Sequence, residues 1–120
     1  MFGRQRIKDL TPNEVRAKMQ HREIVLIDVR EPPEFAAERI HGALNFPLST
    51  FDPRALPAGG DRPLVFQCGS GKRSAMAVER CRQEDVAAEA HLAGGIAAWR
   101  GEGLPTIRFD PATGQVVDAG

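Results

Sequence analysis

The stretch from residue 64 to 83 restricts the fold most, because three different local preferences follow one another there without a break. Leu64-Val65-Phe66 is a short apolar run suited to a buried strand, and residues 75–83 are compatible with a helix. Ser74, Ala77, Val78 and Cys81 share one helical face there, with Glu79, Arg80 and Arg82 mostly turned away. Between them lies Cys68-Gly69-Ser70-Gly71-Lys72-Arg73-Ser74. That order is a strand, a tight loop and a helix. Gly69 and Gly71 allow backbone angles that a Cβ would forbid, so several amides can turn toward one point, with Cys68 at its rim. The positive end of the helix dipole and the charges of Lys72 and Arg73 favour a thiolate. In such surroundings a cysteine pKa falls from about 8.5 to roughly 3.5–7.5. The motif therefore points to a nucleophilic cysteine facing an anionic ligand. A lone cysteine ending an apolar strand is more often a small buried residue; the glycines and cations around Cys68 favour the reactive alternative.

The rest of the chain alternates in the same way. Residues 6–9 suggest a short edge strand with interleaved charge. Thr11, Pro12 and Glu14 form the signature of a capped helix start, with Leu10 and Val15 as a hydrophobic staple and the helix running to about Gln20. The aliphatic run 24–27 suits a strand covered on both faces. After Pro32-Pro33, residues 34–39 are a short helix candidate anchored by Phe35. Residues 43–46 form a strand that Pro47 ends. Ser49 is placed to cap a helical turn through Arg54, whereas Pro53, Pro57 and Gly59-Gly60 favour loop. Residues 87–92 are the last core strand, and a helix begins at Gly94-Gly95, with Ile96 and Trp99 on one face. Beyond Pro105, residues 107–109 and 115–117 suggest a hairpin or a mobile tail. Strands alternating with helices imply an α/β domain with a mainly parallel sheet, and ligands of such sheets bind beyond the carboxyl ends of the strands.

Composition narrows the partners. Sixteen basic residues balance sixteen acidic ones, which argues against a dedicated nucleic-acid or anionic-membrane surface. Two cysteines are too few for a disulfide framework or a zinc site, so no metal is expected. About 20 Å of helix would separate Cys81 from Cys68, which excludes a disulfide between them unless the helix breaks. No apolar leader or membrane span is evident, and a cytoplasmic location is expected. His21, His41 and His91 have no visible partner in sequence and are read as structural, His41 as a solvated turn residue.

The order of segments resembles the rhodanese-like family of single-domain sulfurtransferases. Four stretches carry the resemblance: Leu10-Thr11-Pro12-Asn13-Glu14; Leu26-Ile27-Asp28-Val29-Arg30-Glu31 running on to Gly42-Ala43-Leu44-Asn45-Phe46-Pro47; Cys68 to Ser74; and Leu92-Ala93-Gly94-Gly95-Ile96-Ala97-Ala98-Trp99 with Gly103-Leu104-Pro105. The resemblance implies a rhodanese-like domain over residues 1–105, followed by a tail at 106–120. It implies a three-layer sandwich around a five-stranded, mainly parallel sheet. It also implies that Cys68 carries sulfane sulfur as a persulfide, cradled by Gly69, Ser70, Gly71, Lys72, Arg73 and Ser74, without a cofactor. Asp28 and Arg30 match the family's acidic-basic pair behind the loop, and Arg30 is expected to pair with Glu34.

Where many members have Gly-His-Ile-Pro-Gly, this chain has Glu38-Arg39-Ile40-His41-Gly42. The implied reaction moves sulfur from thiosulfate to cyanide or a thiol, with a protein sulfur acceptor as the alternative. Cys68-Gly69-Ser70-Gly71 is also similar to mercaptopyruvate sulfurtransferase loops, whereas Lys72 and Arg73 suit the thiosulfate dianion. Phosphatases of related fold use Cys-x5-Arg; here Arg73 comes one residue too early and Ser74 holds the arginine's place.

Overall fold

A computed structural model describes residues 6–57 and 60–118. The opening residues 1–5, read for a leader, and Gly59 of the expected loop lie outside them. The elements in chain order are β1 (Lys8–Leu10), α1 (Pro12–Gln20), β2 (Val25–Asp28), α2 (Pro32–Ala37), β3 (Glu38–Arg39) and β4 (Leu44–Asn45). Two single-turn 3-10 helices, Leu48–Thr50 and Pro53–Ala55, precede β5 (Leu64–Gln67) and α3 (Lys72–Gln83). The chain ends with β6 (Ala90–Leu92), α4 (Gly95–Gly101), β7 (Ile107–Asp110) and β8 (Gln115–Asp118).

Five strands form one sheet in the order β1-β6-β5-β2-β4, and every pairing in it is parallel. Side chains alternate across a strand, so consecutive apolar residues feed two separate cores. Leu26 and Val65 join Leu10, Val15, Leu92, Ile96 and Trp99 on the face covered by α1 and α4. Ile27 and Phe66 join Ala77, Val78 and Cys81 on the face covered by α3. Helices on both faces make the three layers. β5 lies at the centre, between β6 and β2, and its carboxyl end delivers Cys68. Among the described residues no helix is long and apolar enough to cross a membrane.

Local signals explain most boundaries. The Thr11 hydroxyl accepts from the Glu14 amide at 3.1 Å and the Glu14 carboxylate accepts from the Thr11 amide at 3.0 Å, the reciprocal box expected at the start of α1. α2 departs from expectation. It begins at Pro32 and stops at Ala37, after which Glu38–Arg39 is strand rather than helix. The two prolines occupy the first helical turn, where a missing N–H costs nothing. Phe35 does not anchor this helix: it is half-buried beneath the Arg39 guanidinium, 5.4 Å from the ring centroid. β6 starts three residues later than its apolar run suggested, at Ala90. The tail forms the hairpin β7–β8, which joins β3 in a second, antiparallel sheet. Thr106 donates to the Glu38 carboxylate at 2.6 Å, and the Trp99 indole donates to the Pro105 carbonyl at 2.8 Å, which ties the root of the hairpin to the domain.

Gln67 is the one local conflict in β5. It is 0% exposed, yet neither its amide nitrogen nor its carbonyl oxygen has a partner among the described residues. A buried polar group left without a partner costs about 1–3 kcal/mol. Replacing Gln67 with Met, which keeps the length and removes the polar atoms, is therefore expected to raise stability by about 1 kcal/mol in denaturant unfolding. A loss of stability instead would mean that the Gln67 amide is bonded after all.

Candidate active site

The loop after β5 is shaped from outside by α4. The Ile96 amide donates to the Cys68 carbonyl at 2.9 Å, and the Ala97 amide donates to the Gly69 carbonyl at 3.2 Å. Backbone must approach backbone for this to happen, and Gly95 permits it. Its φ is +61°, and a Cβ there would lie 2.2 Å from the Cys68 carbonyl oxygen. With the loop's carbonyls turned outward, its amides turn in. Gly71, at φ +105°, directs its N–H to Cys68 Sγ at 3.0 Å, and the Ser74 N–H follows at 3.3 Å. The Ser74 hydroxyl lies 3.7 Å from the same sulfur.

These contacts change two expectations. α3 begins at Lys72, so Lys72, Arg73 and Ser74 form its first turn rather than the end of the loop. Cys68 is not at a rim: it is 1% exposed and shares the core of Phe66, Ile27 and Val29, because the first turn of α3 folds the Ser74 amide over it. Burial pushes the Cys68 thiol up, but the Ser74 amide and hydroxyl and the Gly71 and Ser70 amides outweigh it and hold the thiol below its ordinary value. Cys81, on the buried face of α3, has no such donors among the described residues. Burial and the nearby Glu84 push its thiol up to about 11.

The charges around the loop are also arranged differently from the sequence expectation. Arg73 makes a two-pronged pair with Glu34 of α2, at 2.7 and 3.0 Å, so its charge is shared with a carboxylate. Its guanidinium passes close to Gly69, where a Cβ would be 3.3 Å from Nη2. Arg73 thus braces the loop against α2. Lys72 and Ser70 are exposed beside it. Arg30 does not pair with the Glu34 carboxylate. It lies on Asp28 instead, with Nη2 to Oδ2 at 2.8 Å, and gives the Glu38 carbonyl a bond of 2.6 Å and the Glu34 carbonyl one of 3.4 Å. Two residues of separation at the end of β2 let the Arg30 side chain fold back onto Asp28, which leaves Glu34 for Arg73. Asp28 and Arg30 are therefore a buried scaffold behind α2, while Glu34 is the acid that touches the loop.

His91 was missed. Read from sequence as structural, it accepts or donates at 2.8 Å to the Ser74 hydroxyl through Nδ1 and bonds Asp9 through Nε2 at 2.7 Å. The signal that would find it is topological: β1 pairs with β6 in a register that sets Asp9 beside His91. Of the other histidines, His21 bonds the Ala17 carbonyl at 2.8 Å at the end of α1, and His41 is exposed in a turn. Among the described residues no cluster of three His, Cys, Asp or Glu side chains is placed to hold a metal ion.

Residues 11–102 match the rhodanese-like domain family. An uncharacterised protein of Synechocystis is 37% identical over 99 residues, covering 82% of this chain and 55% of that protein. The chain thus spans little more than half of that relative's length. A sulfurtransferase of Allochromatium vinosum is 35% identical over 85 residues, covering 71% of this chain and 79% of that protein. Among solved structures, a rhodanese-related protein from Thermoplasma volcanium superposes with a TM-score of 0.70 at 27% identity, covering 82% of this chain and 96% of that one.

The brace on the loop has a pH signature. Hydrogen bonding from Arg73 holds the Glu34 carboxyl down to about 2 from an ordinary 4.5, against the opposing effect of burial. A carboxyl depressed in the folded state contributes stability that is complete above its unfolded value and is lost as pH falls through the folded one. The difference in unfolding free energy between the wild type and Glu34→Gln should be constant above pH 4.5 and should close as pH falls toward 2. The pair is half-exposed, so that difference should not exceed about 1 kcal/mol at neutral pH. A difference that is independent of pH across this range would show that Glu34 acts by packing and not as a carboxylate.

Proposed function

The chain belongs to the rhodanese-like domain family, and from that membership we propose that it is a sulfurtransferase that carries sulfane sulfur as a persulfide on Cys68, with thiosulfate as donor. The observation that carries this is the ring of donors around one sulfur atom: amides at 3.0 and 3.3 Å from Sγ and a hydroxyl at 3.7 Å, at the start of a twelve-residue helix. Membership of the family and the named sulfurtransferase of Allochromatium vinosum support the broader role of moving sulfur. Thiosulfate as the donor rests on the positive end of α3 and on exposed Lys72 at the loop.

In the first step the Cys68 thiolate attacks the outer sulfur of thiosulfate. A new S–S bond forms to Cys68 as the donor's S–S bond breaks, and the electron pair of that bond leaves with sulfite. The outer sulfur remains on Cys68 as a persulfide anion, beside the amides that converge on Sγ. In the second step cyanide or a thiolate takes the outer sulfur, and Cys68 is released as thiolate. Neither step changes the protein beyond the Cys68 sulfur. Phosphate chemistry on the same loop would need a guanidinium where Ser74 stands; the guanidinium of Arg73, one residue earlier, is paired with Glu34, which favours sulfur.

Intact-mass analysis after incubation with thiosulfate tests this directly. One sulfur atom should be added to the wild type, and cyanide should remove it as thiocyanate. Cys68→Ala should gain no sulfur and lose transfer to cyanide entirely, while Cys81→Ala should gain it normally. Absence of the adduct in the wild type would overturn the proposal, and sulfur gained only from 3-mercaptopyruvate would reassign the donor.

A further inference from the structure

The sulfur-transfer steps above make no use of His91 or Asp9, yet with the Ser74 hydroxyl these two form an unbroken hydrogen-bonded line from Cys68 to the surface. Sγ to Ser74 Oγ is 3.7 Å, Oγ to His91 Nδ1 is 2.8 Å, and His91 Nε2 to Asp9 Oδ1 is 2.7 Å. Ser74 is fully buried and His91 is 8% exposed, whereas the Asp9 side chain is 65% exposed. Strand pairing places the parts. Phe66 of β5 faces His91 of β6, which sets the imidazole on the same side of the sheet as Cys68, two residues on. Asp9 of β1 faces His91 from the other side.

The hydrogens in this line are countable. An ionised carboxylate only accepts, so the hydrogen between Asp9 and His91 sits on Nε2, and Nδ1 is an acceptor when the ring is neutral. The Ser74 hydroxyl has one hydrogen and two acceptors in reach, His91 Nδ1 at 2.8 Å and the Gly71 carbonyl at 3.1 Å; given to the shorter contact, it leaves the oxygen to accept from the Cys68 S–H. Now let each hydrogen move one place. The hydroxyl proton passes to Nδ1 and the thiol proton passes to Ser74 Oγ. The imidazolium Nδ1–H then donates to Oγ, and the new O–H donates to the Cys68 thiolate. Only S–H, O–H and N–H bonds change, no electrons are transferred, and every link stays bonded.

We propose that His91 receives the proton of the Cys68 thiol through the Ser74 hydroxyl, with Asp9 fixing the tautomer and stabilising the imidazolium. This rests on Cys68 being the reacting group of the sulfur transfer proposed above. His91 and Asp9 touch no substrate; they are positioning residues that set the protonation state of the nucleophile. The titratable groups facing the His91 ring are Asp9 from β1 and, through Ser74 of α3, Cys68 at the end of β5.

The test is the pH profile of Cys68 alkylation by iodoacetamide, followed by mass analysis of the Cys68 peptide, in the wild type, His91→Gln and Asp9→Asn. His91→Gln should move the midpoint up by one unit or more, which is about tenfold slower alkylation below the midpoint. Its rate should converge with the wild type at alkaline pH. Asp9→Asn should move the midpoint in the same direction by less. A midpoint that stays in place, or a rate lowered by one factor at every pH, would overturn the proposal, because a merely structural His91 produces one or the other. If His91→Gln does not fold, Asp9→Asn decides alone, since it alters an exposed side chain. Alkylation needs no sulfur donor. A normal persulfide adduct with an unmoved profile therefore removes the relay and leaves the sulfur chemistry, whereas a shifted profile with no adduct does the reverse.

Discussion

Two hydrogen bonds from the first turn of α4, to the carbonyls of Cys68 and Gly69, set the orientation on which the rest of the site depends. A peptide unit has its donor and acceptor on opposite edges, so holding the Cys68 and Gly69 carbonyls outward turns the Gly69 and Ser70 amides in, and the Ser70 amide is one of those that hold the Cys68 thiol down. The turn into α3 brings the Gly71 and Ser74 amides onto the same sulfur. The requirement propagates backwards into the sequence. Gly95 has to lack a Cβ because the helix start lies against the loop backbone, and Gly71 has to take a positive φ to enter α3. The parallel sheet serves the same end, since β5 and β6 run side by side and deliver the loop and α4 to one edge.

Much of this was legible in the chain. The aliphatic run that became β2, the capping box of α1 and the strand–loop–helix around Cys68 rest on short-range rules, and those rules acted locally. What was not legible depends on partners far away in sequence. Arg73 lies thirty-nine residues from Glu34, and His91 lies eighty-two from Asp9; no periodicity marks either pair. The exchange of partners between Arg30 and Arg73 follows from geometry that only the folded chain supplies, since Asp28 takes Arg30 before Glu34 can. The misplaced start of α2 has a different cause. Two successive prolines read as a break, yet in the first turn of a helix they are well suited.

The folded chain narrows the source of the thiolate preference. From the sequence, inward amides, the helix dipole and the full charges of Lys72 and Arg73 all favour it together. In the folded chain Arg73 is bound to Glu34, Lys72 is exposed, and the donors in contact with the sulfur are neutral amides and a hydroxyl. Neutral donors fixed in place also suit the proposed persulfide chemistry, because their positions need not change as the charge moves outward by one sulfur atom. The buried Asp28–Arg30 pair and the Glu34–Arg73 brace act on the frame around that ring.

Whether dipoles or full charges hold the thiolate is decided by ionic strength. Salt screens exposed charges over a Debye length of about 10 Å at 0.1 M and about 3 Å at 1 M, but it does not screen amides in contact with the sulfur. The ionisation of Cys68 should be followed by thiolate absorbance, in a Cys81→Ala background, between 0.05 M and 1 M salt. If the amide ring sets the thiolate, the midpoint will shift by no more than a few tenths of a unit; a rise of one unit or more would show that Lys72 and Arg73 set it instead.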